Sequence, residues 1–245
     1  MNEVKSHYTN HLGKFYSWMA GDFDTKSEEQ KSFFNRNNIK PIQNGVAVDL
    51  GCGHGLQSIP LADLGFKVKA IDFSEDLLHE LKTRTINSIE IIEDDFMHFH
   101  KHLSQPAELI VCMGDTLTHL ATVSEVETLI KKASDNLIEG GKLILSFRDL
   151  TSPLNGSNRF LPVRSDDTKI HTCFLEYFDE HVQVYDLLHV KENQQWIQKI
   201  SSYPKLILPI PLIKSFMNKA GFSVTCEEEI NRMRYLIAEK NSSAS

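Results

Sequence analysis

VAVDLGCGHG, residues 46–55, decides the fold. The apolar run Val46–Leu50 has the length and composition of a buried strand, and glycines at alternate positions follow it. Glycines placed directly after a first strand let the backbone approach a ligand closely. The stretch therefore predicts an α/β fold with a ligand at the carboxyl end of its first strand.

Short apolar segments and amphipathic helices alternate on both sides of this stretch. We expect further strands at 68–71, 89–92, 109–113 and 143–147, and helices near 56–64, at 75–84 and from Thr122 to Gly140–Gly141, the last carrying Leu137 on its apolar face. A helix through Phe216 and two closing strands, 222–226 and 233–238, complete the pattern. Uncharged strands between helices indicate a doubly wound, Rossmann-like seven-stranded sheet, mostly parallel, with a C-terminal antiparallel hairpin.

Two regions depart from the alternation. Residues 1–40 predict a helical cap with a capping box at Ser27 and Gln30, and 151–167 predict a loop. Three strands without helices, 170–178, 181–191 and 195–206, predict an inserted antiparallel meander that covers a site. The predicted domains are a cap at 1–40, a core at 41–150, the insertion at 151–207, completion of the core at 208–240 and a disordered tail at 241–245.

Composition excludes several classes of protein. With 41% hydrophobic residues the chain can bury a full core, and a net charge of −7 without a Lys/Arg run argues against nucleic-acid and membrane-surface partners. The cysteines are widely spaced and form no CxxC pair, and the N-terminus lacks the apolar run of a signal peptide. We expect a cytoplasmic protein without a bound metal, because His98, His100 and His102 alternate in a polar segment without metal-ligand geometry. The oligomeric state stays open.

The spacing of the glycines narrows the ligand. A dinucleotide fingerprint needs glycine at position 56, where this chain has Leu56. Asp49, two residues before Gly51, would repel a pyrophosphate but can hold an ammonium through water or backbone groups. Both features disfavour NAD and favour a ligand without phosphate.

Acidic residues after the next two strands suggest what that ligand is. Asp72 ends the second strand, where a carboxylate can accept both ribose hydroxyls. Asp94, Asp95 and Phe96 follow the third strand and offer an acceptor for an exocyclic amine and a partner for an adenine ring. Together with the glycine loop, these residues call for adenosine joined to an amino acid.

VDLGCGHG, AIDFS, EDDF and CMGDTLTHL, in this order, resemble the successive motifs of class I S-adenosylmethionine-dependent methyltransferases. The resemblance covers about residues 45–150 and again 208–240, with the family's closing hairpin at 222–238. The resemblance implies S-adenosylmethionine as cofactor. It assigns the methionine portion to Asp49, Gly51 and Gly53, the ribose to Asp72, the adenine to Asp95 and Phe96, and the sulfonium end to the backbone of Cys112, Met113 and Gly114. The remaining cofactor candidates are Tyr16, Trp18, Cys52, Phe73, Asp94 and Leu117.

The sequence defines the methyl acceptor less closely than it defines the cofactor. Residues 114–117 read GDTL rather than the (N/D)PP(Y/F) of adenine and glutamine methylases, and CMGDTLTHL is similar to glycine- and sarcosine-type small-molecule N-methyltransferases. We therefore expect in-line methyl transfer to a nitrogen or oxygen of a small molecule. The catalytic candidates are Asp115 or His119 as the base, Arg148 as a carboxylate ligand, and Tyr177 on the insertion.

Other interpretations remain open from sequence. Asp115 can form a turn, His119 can be a packed histidine, and Tyr16 and Trp18 can simply pack on the body of the protein. The alternative functions are an alkyl or aminopropyl transferase, which needs more acidic groups than the chain shows, and a noncatalytic module that binds S-adenosylmethionine and regulates a partner.

Overall fold

The computed structural model describes residues 3–84 and 88–242. Its central sheet has the strand order β10-β11-β5-β4-β1-β2-β3. These strands are β1 Val46–Leu50, β2 Lys67–Asp72, β3 Ile89–Glu93, β4 Ala107–Cys112, β5 Leu137–Arg148, β10 Phe222–Ile230 and β11 Met233–Lys240. Neighbouring strands from β3 to β5 run parallel, whereas β11 is antiparallel to both β5 and β10. The predicted Rossmann-like sheet with a C-terminal antiparallel hairpin is confirmed.

Helices cover both faces of this sheet. The α-helices are α1 Glu3–His7, α2 Tyr16–Ala20, α3 Phe23–Arg36, α4 Ser58–Asp63, α5 Glu75–Arg84, α6 Val123–Asp135 and α7 Ile210–Lys219. Apolar side chains of α6 and α7 share one buried cluster with β1, β4 and β5, and those of α3, α4 and α5 share another with the opposite face. The two clusters explain why the central strands carry almost no exposed residue.

The helix after β4 ends earlier than its sequence predicts. Asn136 follows the last turn of α6, and Leu137 pairs with Ala107 as the first residue of β5. Leu137 is therefore a strand residue, and Gly140 and Gly141 lie inside β5 rather than at a helix end. The strand pairing with β4 outweighs the helical spacing of Leu137.

The N-terminal segment, residues 3–20, consists of short helical turns that follow one another directly, and it is called the N-terminal ribbon below. A π-helical turn, Tyr8–Leu12, and a 3₁₀ turn, Gly13–Phe15, join α1 to α2. The predicted capping box at Ser27 is wrong, because α3 starts at Phe23 and the Asp22 carboxylate accepts from the Thr25 N–H at 2.9 Å. Of the predicted tail, 243–245 lie outside the described residues, as do residues 1–2 of the cap.

The insertion forms a second, antiparallel sheet with strand order β6-β7-β8-β9. Its strands are β6 Phe160–Ser165, β7 Lys169–Tyr177, β8 His181–Glu192 and β9 Gln195–Leu206. The sequence predicted the last three and treated β6 as loop because of Pro162. β6 is an edge strand, where a proline without an N–H is tolerated.

Within the described ranges, no helix combines the length and apolar character that crossing a membrane requires.

Candidate functional site

A cavity of about 230 Å³ lies where β1, β2 and β4 end, beneath the N-terminal ribbon. Its wall combines the glycine loop, the end of β2, the start of the segment after β3 and the segment after β4. The lining residues are Val4, Lys5, Tyr8, Tyr16, Gly51, Cys52, Gly53, His54, Leu56, Gln57, Asp72, Phe73, Leu77, Asp95, Phe96, Met97, Met113, Gly114, Thr116, His119, Leu120, Ala121 and Glu125. The position agrees with the carboxyl-end rule for parallel sheets.

The glycine loop is bonded to the neighbouring strand. The N–H groups of Gly51 and Cys52 both donate to the Ile71 carbonyl, at 2.8 and 3.0 Å. Gly51 has a φ of +69°, and a Cβ at this position would collide with the Thr116 side chain. Glycine is therefore required both by the backbone conformation and by the close approach of the segment after β4.

Asp72 is the buried acid of the cavity wall. Its Oδ2 accepts from the Gly53 N–H and its Oδ1 from the Ser74 N–H, each at 2.8 Å. Burial raises the pKa of Asp72, and the backbone bonds partly oppose the rise. A carboxylate held by two backbone bonds keeps further lone pairs for a ligand hydroxyl.

Asp49 lies behind the loop rather than in the cavity wall. Its Oδ2 accepts from the Ser58 hydroxyl at 2.6 Å, and the residue is almost fully buried. Burial raises the pKa of Asp49 to about 7, although the Ser58 bonds lower it. In this position Asp49 supports the loop from below.

The two adjacent acids after β3 point to different places. Asp95 lines the cavity with Phe96, and its Oδ1 accepts from the Met97 N–H at 2.9 Å. Asp94 instead contacts His98 and His102, at 3.2 and 2.8 Å, and is outside the cavity wall. Its bond to His102 helps to lower the pKa of Asp94 to about 2. Of the two candidates, Asp95 has the position that an adenine ligand needs.

Aromatic side chains of the N-terminal ribbon cover the cavity. The Tyr8 ring meets Phe73 edge-on at 5.7 Å, and the Tyr16 ring meets His54 edge-on at 5.1 Å. Burial raises the pKa of Tyr16 to about 12 and that of Tyr8 well above its usual value, so both phenols stay protonated. Trp18 does not reach the cavity, because its indole N–H donates to Asp166 beside the second sheet.

Asp115 is buried beside the cavity in an ion pair. It adopts a φ of +81°, its Oδ1 accepts from the Arg148 backbone N–H at 2.9 Å, and its Oδ2 bonds the Lys205 ammonium of β9. Burial alone would raise its pKa, but Lys205 and the Arg148 N–H lower the pKa of Asp115 to about 2. An acid held this way links the insertion to the core and is a poor proton acceptor.

His119 lies on the cavity wall next to this pair. Its ring meets Tyr203 edge-on at 5.5 Å and Tyr8 at 5.8 Å. Burial, and after it the Lys205 charge, lowers the pKa of His119 to about 3, so the ring is neutral. Its Nε2 is buried without a hydrogen-bond partner among the described residues. A neutral imidazole in this state can accept a hydrogen bond from a ligand N–H or O–H.

The cavity brings together a part of the predicted site. The predicted residues in its wall are Tyr16, Gly51, Cys52, Gly53, Asp72, Phe73, Asp95, Phe96, Met113, Gly114 and His119. Outside the wall are Trp18, Asp49, Asp94, Cys112, Asp115, Leu117, Arg148 and Tyr177.

The displaced candidates have physical reasons for their positions. Cys112 and Leu117 are fully buried in the apolar cluster that α6 and α7 form with β1, β4 and β5. The Arg148 side chain is half exposed, with its Nε 3.7 Å from Asp115. Tyr177 packs in the apolar cluster between the ribbon and the second sheet.

Sequence reasoning missed the residues that reach the cavity from the first turns of the ribbon. Val4, Lys5 and Tyr8 line it, as do His54 and Gln57 of the glycine loop and Glu125 of α6. The available signal is that Tyr8, Leu12, Phe15 and Met19 recur at helical spacing, a pattern that predicts a packed helix face as readily as a cavity wall.

Comparison with known proteins agrees with this geometry. Residues 47–141 match the family model described as a methyltransferase domain. The glycine/sarcosine N-methyltransferase of Aphanothece halophytica is 25% identical over 154 residues, which are 60% of this chain and 55% of that protein. The chain spans about half the length of the curated relatives it matches. For the domain at residues 47–141, the prediction of a class I S-adenosylmethionine-dependent methyltransferase is confirmed.

Solved structures extend the likeness of fold to the whole chain. The CcbJ methyltransferase of Streptomyces caelestis superposes with a TM-score of 0.79 at 16% identity, covering 97% of this chain and 99% of that one. An amino pentose methyltransferase of Micromonospora echinaspora, solved with SAM bound, gives 0.72 at 15% identity and covers 98% of both chains. At these identities the match concerns the fold alone, including the second sheet.

Proposed function

We propose that this chain transfers a methyl group from S-adenosylmethionine to a nitrogen of a small, positively charged or neutral amine. The observation that supports the proposal most strongly is that one cavity is lined both by the glycine loop and Asp72 and by His119 and Tyr8. A donor and an acceptor held in one enclosed space are what a displacement reaction between them requires.

Residues of the core fit the donor. Asp72, with its backbone bonds already made, would accept the ribose hydroxyls, and Asp95 with Phe96 would contact the adenine. The exposed backbone of Gly51, Gly53 and Gly114 would run along the methionine portion. When bound, S-adenosylmethionine supplies a methyl group on a sulfonium, which a lone pair of the acceptor displaces in line.

The charge of the cavity wall favours an amine over a carboxylate as acceptor. Among the described lining residues, the carboxylates of Asp72, Asp95 and Glu125 stand against the single ammonium of Lys5. The Arg148 side chain, which the sequence suggested as a carboxylate ligand, is half exposed and paired with Asp115. An excess of negative charge raises the local concentration of cations.

His119 is the residue best placed to orient the acceptor. As a neutral ring with an unpartnered Nε2, it can accept one N–H and so turn the nitrogen lone pair away from itself. Its low pKa argues against a role as proton store, so the acceptor would arrive as the free amine or release its proton to water. Tyr8 and Tyr16 exclude bulk solvent from the same space.

Methyl transfer to a panel of acceptors tests the proposal. Purified chain, labelled S-adenosylmethionine and matched sets of small amines, carboxylates and alcohols would be assayed for labelled product and S-adenosylhomocysteine. We expect turnover with members of the amine set. Tight binding of S-adenosylmethionine without turnover on any set would contradict the proposal and favour a noncatalytic module.

Replacement of His119 by Ala sharpens the test. We expect a fall in kcat/KM for the amine with little change in the Kd for S-adenosylmethionine, because His119 is assigned to the acceptor end. An equal loss in donor affinity would contradict that assignment. We also propose a cytoplasmic location, because the four cysteines, all among the described residues, form no disulfide, which suits a reducing compartment.

A further inference from the structure

Three neighbouring strands of the second sheet present a row of polar side chains toward the protein interior. Asp186 of β8 pairs in register with Cys173 of β7 on one side and with Ser201 of β9 on the other. His171 lies two residues before Cys173 and therefore faces the same way. His7 of α1 approaches this row from above, with its Nδ1 2.8 Å from the Ser201 hydroxyl.

This group is buried far more than polar residues usually are. His7, His171 and Asp186 are 2%, 1% and 1% exposed. Burying a carboxylate and imidazoles costs several kcal/mol unless each lone pair and proton finds a partner. Their close packing therefore needs a compensating interaction.

Hydrogen bonds provide that compensation only in part. The His7 Nε2 lies 3.2 Å from Asp186 Oδ2, yet neither atom has an aligned hydrogen-bond partner among the described residues. If His7 Nδ1 donates to Ser201, its Nε2 carries a lone pair that faces the carboxylate lone pairs. Buried polar atoms without a hydrogen-bond partner call for an explanation, and a bound ion nearby is one of them.

The distances agree with a metal centre. His171 Nε2 and Asp186 Oδ1 are 3.3 Å apart, Cys173 Sγ and Asp186 Oδ1 are 3.1 Å apart, and Cys173 Sγ and His171 Nε2 are 3.8 Å apart. Tetrahedral zinc with its usual bond lengths separates nitrogen and oxygen ligands by about 3.3 Å and sulfur from either by about 3.6 Å. Each observed separation lies within about half an ångström of these values.

We propose that His171, Cys173 and Asp186, whose ligand atoms all lie within 4.8 Å of one another, bind a zinc-type divalent metal ion. A thiolate, an imidazole and a carboxylate form a mixed donor set that zinc accepts and that calcium and magnesium do not. His7 lies 3.2 Å from the other oxygen of Asp186 and would orient that carboxylate from α1, one residue before Tyr8 enters the cavity wall. The sequence predicted no metal here, because the ligands come from distant segments without a recognisable spacing.

Metal content tests the proposal directly. The chain, freed of any affinity tag, would be stripped with chelator, reloaded with Zn²⁺, dialysed and analysed by mass spectrometry for metal. We expect close to one zinc per chain in the wild type and a large loss in the Cys173→Ser and Asp186→Asn variants. Circular dichroism would check that the variants fold. The matched control is His189→Ala, which removes an imidazole from the opposite face of β8 and should retain the ion.

Two further readouts separate this site from adventitious binding. Co²⁺ in place of Zn²⁺ should give a thiolate charge-transfer band that Cys173→Ser abolishes. His7→Ala, which removes the side chain beside Asp186 Oδ2, should weaken zinc binding roughly 10–100-fold. No retained metal in the wild type, or equal retention in Cys173→Ser and Asp186→Asn, would overturn the proposal. Neither outcome depends on methyl transfer, so the proposed function is tested separately.

Discussion

The buried carboxylates of the central sheet differ from those in contact with or inside the second sheet, both in their hydrogen-bond partners and in the direction of their pKa shifts. In the core, Asp49 and Asp72 have hydroxyl and backbone N–H partners, and burial raises the pKa of both. Asp115 contacts Lys205 of the second sheet, and Asp186 lies within that sheet beside His171 and His7. These contacts lower the pKa of both carboxyls below the usual range.

This difference separates two roles of buried acids. Asp72, which has no cationic partner among the described residues, leaves its charge available to a ligand of the cavity. Asp115 is paired with Lys205 and fixes the core to the second sheet. Charge available for binding and charge used for assembly can therefore be distinguished by what each carboxylate touches.

The largest expected effect comes from breaking the Lys205–Asp115 pair. Lys205→Met leaves the buried Asp115 carboxylate with the half-exposed Arg148 as its remaining cationic neighbour among the described residues, which should lower the free energy of unfolding by about 3 kcal/mol. Urea unfolding followed by circular dichroism would measure the loss. The control is Lys199→Met, on the same strand as Lys205. It breaks an exposed pair with Glu192 and should lower the free energy of unfolding by only about 0–1 kcal/mol.

A second variant checks the cause of that loss. Asp115→Asn in the Lys205→Met background removes the unpaired charge and should restore part of the stability, since asparagine tolerates the positive φ of this position. If the double variant is no more stable than Lys205→Met, the unpaired Asp115 charge is not the cause of the loss. The proposed role of Asp115 in joining the core to the second sheet through its charge would then be wrong.

On the core side, Asp72→Asn should act on binding more than on stability. The amide keeps the shape of the side chain but replaces an acceptor by a donor opposite the Gly53 or Ser74 N–H. We expect the Kd for S-adenosylmethionine, measured by calorimetry, to rise roughly 10–100-fold. An unchanged Kd with a large loss of stability would place Asp72 among the structural acids instead.

Asp49 should make the protein less stable as the pH rises, whereas a carboxylate with a lowered pKa, such as Asp115, makes it more stable. The folded-state pKa of Asp49, raised to about 7, exceeds the unfolded value of about 4, so the unfolded chain releases its proton first. The contribution of Asp49 to stability is therefore present below about pH 4 and is lost as the pH rises to about 7.

Asp49→Asn removes this titration while keeping an acceptor for Ser58. Unfolding measured from about pH 5 to about pH 7 should show that the wild type loses stability relative to the variant, by at most about 1.4 kcal/mol per pH unit. Parallel stability curves for the two proteins across this range would show that Asp49 stays ionised in the fold.

The smallest expected effect distinguishes the adjacent acids after β3. Asp95→Ala should raise the Kd for S-adenosylmethionine roughly 2- to 10-fold, because only Asp95 lines the cavity. Asp94→Ala should leave the Kd unchanged, since this carboxylate contacts His98 and His102 outside the wall. Equal effects of the two replacements would contradict the geometric distinction.

What could be predicted from sequence follows the same division. The donor end depends on short-range features: the spacing of Gly51 and Gly53, and carboxylates at the ends of consecutive strands. Parallel strands bring these positions to one edge whatever the details of packing. The seven strands of the core were predictable for the same reason, apart from the strand residues around Leu137.

The acceptor end depends on residues far apart in the chain. Asp115 looked like a base because its partner, Lys205, lies 90 positions later and has no pattern that links the two. His119 was found by its place after β4, but the covering Tyr8 was not, because helical spacing cannot tell a packing face from a cavity wall. Long-range pairing of buried polar groups leaves no local signal.

The separation between Asp115 and Lys205 also bears on how the chain is made. A ribosome releases the glycine loop, Asp72 and Asp95 within one run of 50 residues, but Lys205 emerges long after Asp115. Until then the half-exposed Arg148 is the only cation near the Asp115 carboxylate among the described residues, and burying it without Lys205 is unfavourable. We therefore expect the segment around Asp115 to reach its final packing only after the second sheet has been completed.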